Sequence, residues 1–296
     1  MTNTPLFGCI EAGGTKFVVG VARDHYRMLA TARIPTTTPD ATLAAVIDFF
    51  KSTVKEYGDL SAIGIASFGP LDVDRKSPRW GTIAQTPKPG WTNADLVGPL
   101  SSAFSVPIGF DTDVNGALLA ESLWGAARNS DVATYVTVGT GIGGGALVNG
   151  VIVHGSRHPE MGHLLVRRHS ADLAFEGVCR FHGDCLEGMA SGPAIEARWG
   201  MNLSQMPDDH PAHRVIAYYL AQMIVAQQAM LSPRVIIMGG GVLATPGLLP
   251  KIQADAAMLS AGYFGDVDYA EVVVPPALGL DSGLLGGLAL AQQAGR

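Results

Sequence analysis

The chain has 296 residues, 47% of them hydrophobic and 16% charged, which is enough for one large or two moderate domains with a substantial core. Its 26 acidic and 20 basic side chains leave a formal charge of −6, and the absence of any basic run argues against a nucleic-acid-binding protein. No signal peptide or transmembrane segment is recognisable, and three cysteines are too few for a disulfide framework. We therefore expect a cytoplasmic protein that acts on small molecules, without a membrane or nucleic-acid partner.

The first half of the chain alternates strand and helix signals. The segment "LFGCIEAGGTKFVVGVA" predicts a strand, a tight turn from Ala12 to Thr15 and a second strand. Helical spacing of apolar residues in "LAAVIDFFKSTV" predicts a helix, and "SAIGIASFG" and "VPIGFDTD" predict two buried strands. Another helix is expected to begin between Asp113 and Asn115. This order of elements is typical of an α/β fold.

The second half opens as the first does. "VTVGTGIGGGALV" and "IEAGGTKFVVGV" both place Gly and Thr at the tip of an apolar hairpin, which indicates a weak internal duplication. After an irregular segment the pattern predicts a long buried helix, a strand in "RVIIMGGGV", a helix, a strand in "AEVVVPPAL" and a final helix. We expect a small N-terminal α/β domain over 1–114, completed by the last helix over 281–296, and a large α/β domain over 115–280.

The stretch "VCRFHGDC" holds two of the three cysteines on either side of a histidine. Cys179, His182 and Cys185 are each separated by two residues, and His163 lies upstream. Two thiolates and two imidazoles form the closed tetrahedral ligand set of structural zinc; the alternative is a pair of reduced thiols beside an incidental histidine. Because the segment over 154–187 has too little apolar periodicity to hold itself together, we favour a structural Zn²⁺ there.

Two glycine-rich turns are candidate phosphate sites. Consecutive backbone N–H groups in such a turn form a concavity that binds anions, and "AGGTK" and "GTGIGGG" each add a threonine hydroxyl. Neither matches a P-loop, and the second lies between two strands, unlike a dinucleotide-binding fingerprint. One such turn alone is ordinarily only a hairpin turn. Two of them, with a glycine triplet after "VIIM", predict a nucleotide site.

Acidic residues follow a buried strand in "FDTDVNG". Asp111, Asp113 and Asn115 lie where active-site groups of α/β sheets collect. One carboxylate can cap the next helix, which leaves the other for chemistry. Phosphoryl transfer to a hydroxyl needs a carboxylate that accepts its proton, and Asp113 is the predicted base. Glu11, on the strand before the first turn, is the predicted ligand of Mg²⁺, directly or through water.

Taken together, "IEAGGTK", "FDTDVNGA", "VGTGIGGG", "HPEMGH" and "CRFHGDCLEG" closely resemble the ROK family of bacterial sugar kinases, and within it the fructokinases. The resemblance runs from about Phe7 to the final helix. It implies an actin-like ATPase (ribonuclease H-like) fold, with two α/β domains flanking a cleft for ATP and sugar, and a homodimer. Many glucokinases of the family have Asp at Glu11, Asn at Thr112 and a different zinc loop, so these departures favour the fructokinase branch.

The resemblance also assigns roles to residues. The catalytic aspartate falls on Asp113. The nucleotide-binding residues are Glu11, Gly13, Gly14, Thr15, Lys16, Gly139, Thr140, Gly141, Gly143, Pro193, Gly239, Gly240 and Gly241. The sugar-binding residues are Gly69, Thr112, Asp113, Glu160, His163 and Glu187. The zinc ligands are His163, Cys179, His182 and Cys185, so that His163 would join the metal to the sugar-binding wall.

The predicted activity is ATP- and Mg²⁺-dependent phosphorylation of fructose to fructose 6-phosphate. Phosphorylation of mannose, glucose or N-acetylmannosamine is the alternative within the same chemistry. A non-catalytic sugar-sensing protein is the alternative from another class; repressors of the family carry a helix-turn-helix module, for which a first strand at about Phe7 leaves no room. Trp91, in "PKPGWTNADL", is interpreted either as a packing residue or as part of a mobile sugar-side lid.

Overall fold

Strands form where short runs of β-branched and other apolar residues are bounded by glycine or polar turns. The computed structural model describes residues 4–295. Residues 1–3 and 296, which the predicted domain ranges include, lie outside the described residues. The strands are β1 Leu6–Ala12, β2 Lys16–Ala22, β3 Met28–Pro35, β4 Leu60–Ser67, β5 Ile108–Thr112, β6 Val132–Val138, β7 Ile142–Val148, β8 Val151–Ile152, β9 Val235–Gly239 and β10 Val273–Val274.

Four of the α-helices within residues 4–295 begin at a polar residue whose side chain caps the first turn. Thr38, for example, caps the first helix by accepting a hydrogen bond from Ala41 N, with Pro39 in the first turn. The helices are α1 Pro39–Tyr57, α2 Val97–Phe104, α3 Asp113–Trp124, α4 Leu186–Ala190, α5 Gly192–Trp199, α6 Ala212–Leu231, α7 Leu248–Ser260, α8 Tyr269–Val272 and α9 Ser282–Ala294. Within residues 4–295, no helix combines the length and the apolar character needed to cross a membrane.

The described residues divide into two units. Unit 1 comprises the residues up to Gly125, the segment His154–His158 and the residues from Leu278 onward. Unit 2 comprises Ala126–Val153 and Pro159–Ala277. Each unit contains one five-stranded sheet.

Close glycine contacts hold α3 and α9 within unit 1. A Cβ added at Gly286 of α9 would lie 2.5 Å from the carbonyl carbon of Gly116 in α3. A Cβ added at Gly64 of β4 would lie 1.8 Å from the carbonyl oxygen of Gly287. Because only glycine permits such an approach of two backbones, α3 is packed into unit 1. The division therefore falls after α3, whereas the sequence pattern placed it near the start of that helix.

The unit 1 sheet has the order β3-β2-β1-β4-β5. β1 and β4 are parallel, as are β4 and β5, with Ala12 opposite Ser67 and Ser67 opposite Thr112. The carboxyl ends of three neighbouring strands are thus level with one another. In α/β sheets this edge is where ligands bind, because the loops that follow parallel strands meet there.

The unit 2 sheet has the order β10-β9-β6-β7-β8. β6 and β7 form the predicted hairpin with a glycine tip, and β6 is parallel to β9, with Thr137 opposite Gly239. Unit 1 has the same arrangement, a glycine-tipped hairpin of β1 and β2 beside the parallel β4. The predicted internal duplication is confirmed at the level of strand order.

Three features differ from the sequence pattern. β3 was not predicted, because its side chains are largely half-buried or exposed and lack a continuous apolar run. The strand predicted in "AEVVVPPAL" is reduced to β10, since α8 occupies its first residues.

Trp91 is completely buried, its ring 5.5 Å from that of Phe17, and its Nε1 donates to Thr37 O at 2.8 Å. It is a core residue, so the lid interpretation is wrong for this side chain.

Candidate active site and metal centre

The predicted base and the first glycine turn lie at the same edge of the unit 1 sheet. Gly13 N donates to Lys16 O at 3.0 Å, which closes the turn between β1 and β2. Asp113 directly follows Thr112 at the end of β5. Ala12 and Thr112 are two strand spacings apart, about 10 Å, in the parallel register. The register therefore brings together a candidate phosphate turn and a candidate base that are far apart in sequence.

Asp111 is buried and makes structural hydrogen bonds, a role different from the one predicted for Asp113. It is 4% exposed. Its Oδ1 accepts hydrogen bonds from Asn115 Nδ2 at 2.7 Å and from Thr112 N at 2.8 Å, and its Oδ2 lies 2.9 Å from His154 Nε2. A buried carboxylate needs such partners to offset the loss of water. These contacts occupy both of its oxygens.

Thr112 caps α3, a role that the sequence pattern had left open for an acidic residue. Its Oγ1 accepts a hydrogen bond from Asn115 N at 3.2 Å. The carboxylate of Asp113, in the first helical turn, accepts from Val114 N at 2.8 Å. A negative charge is stabilised at the amino end of a helix by the unpaired N–H groups and the helix dipole. The carboxyl group of Asp113 thus lies at the amino end of α3 without serving as the cap.

Glu11 lies on β1 with its carboxyl group against the start of α9. A Cβ added at Gly283 would lie 2.4 Å from the carboxyl carbon of Glu11. Burial raises the pKa of Glu11, and the nearby cations Lys16 and Arg33 oppose that rise. A bound cation would also oppose this rise in pKa, because it stabilises the ionised carboxylate. Because carboxylate oxygens are the ligands that Mg²⁺ prefers, Glu11 fits its predicted role as a single magnesium ligand.

Glycine segments line a cavity of about 430 Å³ in unit 2. Gly192 N donates to Gly139 O at 2.7 Å, joining the start of α5 to the second glycine turn. The walls include Gly139, Thr140, Gly192, Pro193, Gly241 and Thr245. The volume lies within the usual range of ligand pockets, and backbone N–H groups of this kind bind phosphate oxygens. Thr245 was missed by the sequence analysis, because it lies in a loop with no recognisable spacing.

The four predicted zinc ligands lie together. His163 Nδ1 is 3.5 Å from Cys185 Sγ and 3.7 Å from Cys179 Sγ, and His182 Nδ1 is 3.7 Å from Cys179 Sγ. All four ligand atoms lie within 4.8 Å of one another. Zinc bonds of about 2.3 Å to sulfur and about 2.0 Å to nitrogen give a tetrahedral edge of about 3.5 Å, so the residues fit this ion. Gly183, between His182 and Cys185, has a φ of 64°, a left-handed conformation that lets the chain bend between these two ligands.

Burial affects one thiol of this cluster strongly. Cys185 is fully buried, and desolvation raises its pKa to about 11. Without a metal it is therefore a neutral thiol at pH 7. Metal binding requires the thiolate, so loading the cluster would release this proton.

Glu187, a predicted sugar ligand, contacts the second glycine turn. Its Oε2 accepts a hydrogen bond from Ile142 N at 2.9 Å. Glu187 is in the first turn of α4, two residues after Cys185 of the Cys/His cluster. Glu160 directly precedes the short 3-10 helix that carries His163, and its carbonyl oxygen accepts a hydrogen bond from His163 N at 3.1 Å. Three of the six predicted sugar-binding residues thus lie in the Cys/His cluster or close to it in the chain: Glu160, His163 and Glu187.

Two histidines, His154 and His158, contact buried partners within unit 1. His154 pairs with Asp111, and His158 Nε2 accepts a hydrogen bond from Leu71 N at 2.9 Å. A Cβ added at Gly69, a predicted sugar-binding position, would lie 3.6 Å from the ring of His158. No sequence spacing pointed to these contacts, because the paired residues lie on segments that are distant in the chain.

Comparison with known proteins places this geometry in a family. The sequence profile of the ROK family matches residues 7–294. A fructokinase from Zymomonas mobilis is 48% identical over 289 residues, covering 97% of this chain and 96% of that protein. A putative fructokinase from Bacillus subtilis is 42% identical over 293 residues, covering 98% of this chain and 96% of its own.

Among solved structures, a ROK hexokinase from Thermus thermophilus has a TM-score of 0.77 and is 26% identical, with 97% of this chain and 98% of that chain covered. The prediction of an α/β fold of the actin-like ATPase type is confirmed by this likeness and by the two five-stranded sheets. The predicted family is confirmed as well. With its profile match over nearly the whole length and relatives above 40% identity, the chain belongs to the ROK family.

Proposed function

We propose that this protein is an ATP-dependent fructokinase, which converts fructose to fructose 6-phosphate. The proposal is supported by the similarity to fructokinases over nearly the full chain. The structural observation that carries it is the position of Asp113 beside Thr112, level with the glycine turn that follows Ala12 on the same sheet edge. A kinase needs a carboxylate and a phosphate-binding turn so arranged.

In the proposed reaction Asp113 is the general base. Its carboxylate accepts the proton of the terminal hydroxyl while that oxygen forms a bond to the γ-phosphorus of ATP. The bond from the γ-phosphorus to the bridging oxygen breaks, and ADP leaves with that electron pair. Asp111 does not compete for this role, because both of its oxygens are engaged with neighbouring residues.

The nucleotide role is assigned to the glycine segments. In unit 1, the turn formed by Gly13, Gly14, Thr15 and Lys16 supplies backbone and hydroxyl donors for phosphate. In unit 2, the predicted set Gly139, Thr140, Gly141, Gly143, Pro193, Gly239, Gly240 and Gly241 adjoins the cavity of about 430 Å³. Glu11 would hold Mg²⁺, which neutralises phosphate charge when bound.

The sugar role is assigned to Gly69, Thr112 and Asp113 of unit 1 and to Glu160, His163 and Glu187 of unit 2. Carboxylates, hydroxyls and imidazoles of this kind bind sugar hydroxyls through hydrogen bonds. His163, Cys179, His182 and Cys185 would hold Zn²⁺, whose contribution is to stabilise the loop that carries these residues. The closed set of four protein ligands fits a structural ion.

The proposed assembly is a cytoplasmic homodimer. On the segment over 154–187, the apolar side chains of Leu165, Leu173 and Phe181 are 75%, 68% and 65% exposed. Exposed apolar surface of this kind is stabilised when a second copy covers it. Light scattering of the purified protein should give twice the mass of one 30.9 kDa chain; a monomeric mass would contradict this assignment.

A coupled assay of ADP release tests the activity. Fructose, glucose, mannose and N-acetylmannosamine are compared at fixed ATP and Mg²⁺, before and after treatment with a zinc chelator. We expect the highest kcat/KM with fructose and a product phosphorylated at the terminal hydroxyl. A higher kcat/KM with another sugar would contradict the specificity, and absence of sugar-dependent ADP release with all four would contradict the kinase activity itself.

A further inference from the structure

Glu187 joins the second glycine turn to the segment that carries the Cys/His cluster. Its Oε2 accepts a hydrogen bond from Ile142 N at 2.9 Å. A Cβ added at Gly141 would lie 2.7 Å from the same oxygen. The carboxylate is therefore in van der Waals contact with the backbone of the turn, and any larger residue at 141 would displace it.

The turn that Glu187 contacts is also restrained by backbone hydrogen bonds. Gly139 N donates to Gly141 O at 2.9 Å within the turn, and Gly139 O accepts from Gly192 N at 2.7 Å. Glycine residues without side chains have the largest conformational freedom to lose on ordering. An anion-binding turn is effective only when its N–H groups already point toward the ligand. A charge-assisted hydrogen bond at Ile142 N supplies part of that order.

We propose that Glu187 is a positioning residue for the second phosphate turn: by holding Ile142 N, it orients the amides of Thr140 and Gly141 toward the nucleotide. The inference rests on the proposed ATP-dependent function and adds to the sugar role assigned above. A ligand to the sugar alone would affect sugar binding only. A residue that orders the turn affects nucleotide affinity even when no sugar is present.

The backbone around Glu187 is held by the cluster segment. Leu186 N donates to Leu164 O at 2.8 Å, next to His163, and Val178 N donates to Gly188 O at 3.0 Å, next to Cys179. A Cβ added at Gly188 would lie 1.9 Å from Gly183 O, so α4 packs on this loop without space between them. The order of the Cys/His loop is thereby transmitted to the carboxylate by direct contact. Loosening the loop should weaken nucleotide binding as well.

Positioning of the turn and charge repulsion by Glu187 would change nucleotide affinity in opposite directions. A carboxylate beside a phosphate turn also repels phosphate. If repulsion were the larger effect, removing the carboxylate would tighten nucleotide binding. If positioning is larger, Glu187→Ala weakens binding, whereas Glu187→Gln, which keeps a carbonyl oxygen for Ile142 N without the charge, does not.

The test measures ADP binding by calorimetry with Mg²⁺ and without sugar. Wild type, Glu187→Ala, Glu187→Asp and Glu187→Gln are compared, with Glu176→Ala, an exposed glutamate of the same loop, as the matched control. We expect a Kd about tenfold higher for Ala and Asp, corresponding to the loss of the hydrogen bond from Ile142 N, and within about twofold of wild type for Gln and for the control, which keep that bond. The Asp variant, which shortens the side chain, serves if the Ala variant does not fold.

Amide hydrogen exchange supplies a readout independent of binding and of activity. Peptides that include Ile142 should exchange faster in Glu187→Ala and in chelator-treated wild type than in untreated wild type. Unchanged exchange, unchanged or tighter ADP binding by Glu187→Ala, or weakening by Glu187→Gln equal to that by Ala would each overturn the proposal. Failure of wild type to bind ADP would instead overturn the proposed kinase function, and this inference with it.

Discussion

The imidazole of His154 and the carboxylate of Asp111 form a half-buried pair, with Nε2 and Oδ2 2.9 Å apart. This contact joins the segment after β8, which holds His154, to the end of β5, which holds Asp111. Asp111 directly precedes Thr112, the cap of α3. Asp111 is almost completely buried and has three donors around it, from Thr112, Asn115 and His154. Removing one of them leaves a buried carboxylate less well satisfied.

This pair predicts a stability that depends on pH. The hydrogen bond to Asp111 raises the pKa of His154, which means that the folded state favours the imidazolium. The stabilisation is complete below the usual histidine pKa of about 6.5 and is lost as the pH rises through the raised value. His154→Gln should therefore lower the unfolding free energy by about 1 kcal/mol at pH 5.5, since a partly exposed pair is screened, and by less at pH 9.

Urea unfolding of wild type and His154→Gln at both pH values measures this difference. The double variant Asp111→Asn/His154→Gln is the control, because the effect of the histidine should vanish once the carboxylate is gone. If His154→Gln lowered the unfolding free energy equally at pH 5.5 and pH 9, the stabilisation by this pair would not depend on the charge of His154.

The two aspartates of "FDTDVNG" should respond differently to the same substitution. Asp113→Asn removes the proposed base and should lower kcat by about 10²- to 10⁴-fold, with little change in melting temperature. Asp111→Asn should instead destabilise the fold, because its oxygens satisfy buried donors. Steady-state kinetics and thermal unfolding separate these effects. Near-normal turnover by a folded Asp113→Asn protein would exclude it as the base; Asp59→Asn, on the exposed surface, is the control.

The Cys/His cluster predicts one zinc ion per chain. Cys179→Ser should lower the zinc content measured by plasma mass spectrometry and reduce the melting temperature by about 5–10 °C, because the loop loses its cross-link. A chelator should lower the melting temperature of wild type but leave that of Cys179→Ser unchanged. Purified wild type without zinc, or with a melting temperature insensitive to chelation, would contradict the assignment.

Neighbouring glycines of the triplet after β9 provide a matched comparison. Gly240 has a φ of 97°, and a Cβ there would lie 2.4 Å from Val138 O, whereas a Cβ at Gly241 meets nothing within 4 Å. Gly240→Ala should lower the unfolding free energy by about 1–3 kcal/mol through backbone strain and overpacking. Gly241→Ala should leave it nearly unchanged. Denaturant unfolding of the two variants checks this, and equal effects would contradict it.

Several of the candidate site residues could be predicted because their signal is local. The spacing of Cys179, His182 and Cys185 lets three ligands share one loop, whose bend depends on Gly183. The glycine-tipped hairpins are likewise short-range features, in which strand pairing follows directly from the turn. The burial of Trp91 was harder to predict, because its Pro- and Gly-rich sequence surroundings are typical of a surface loop, whereas its ring lies in the core.

The chain by itself determined its α/β class, its family and its principal chemical groups, since apolar periodicity, turn residues and ligand spacing act between residues that are close in sequence. Only the tertiary structure decided which groups come together: the ends of β1 and β5 at one sheet edge through strand register, His154 with Asp111, and Glu187 with Ile142 N. It also decided that α3 belongs to unit 1, through glycine contacts with α9. These contacts join segments separated by many residues, and they form only when packing and buried hydrogen bonds offset the entropy of bringing the segments together.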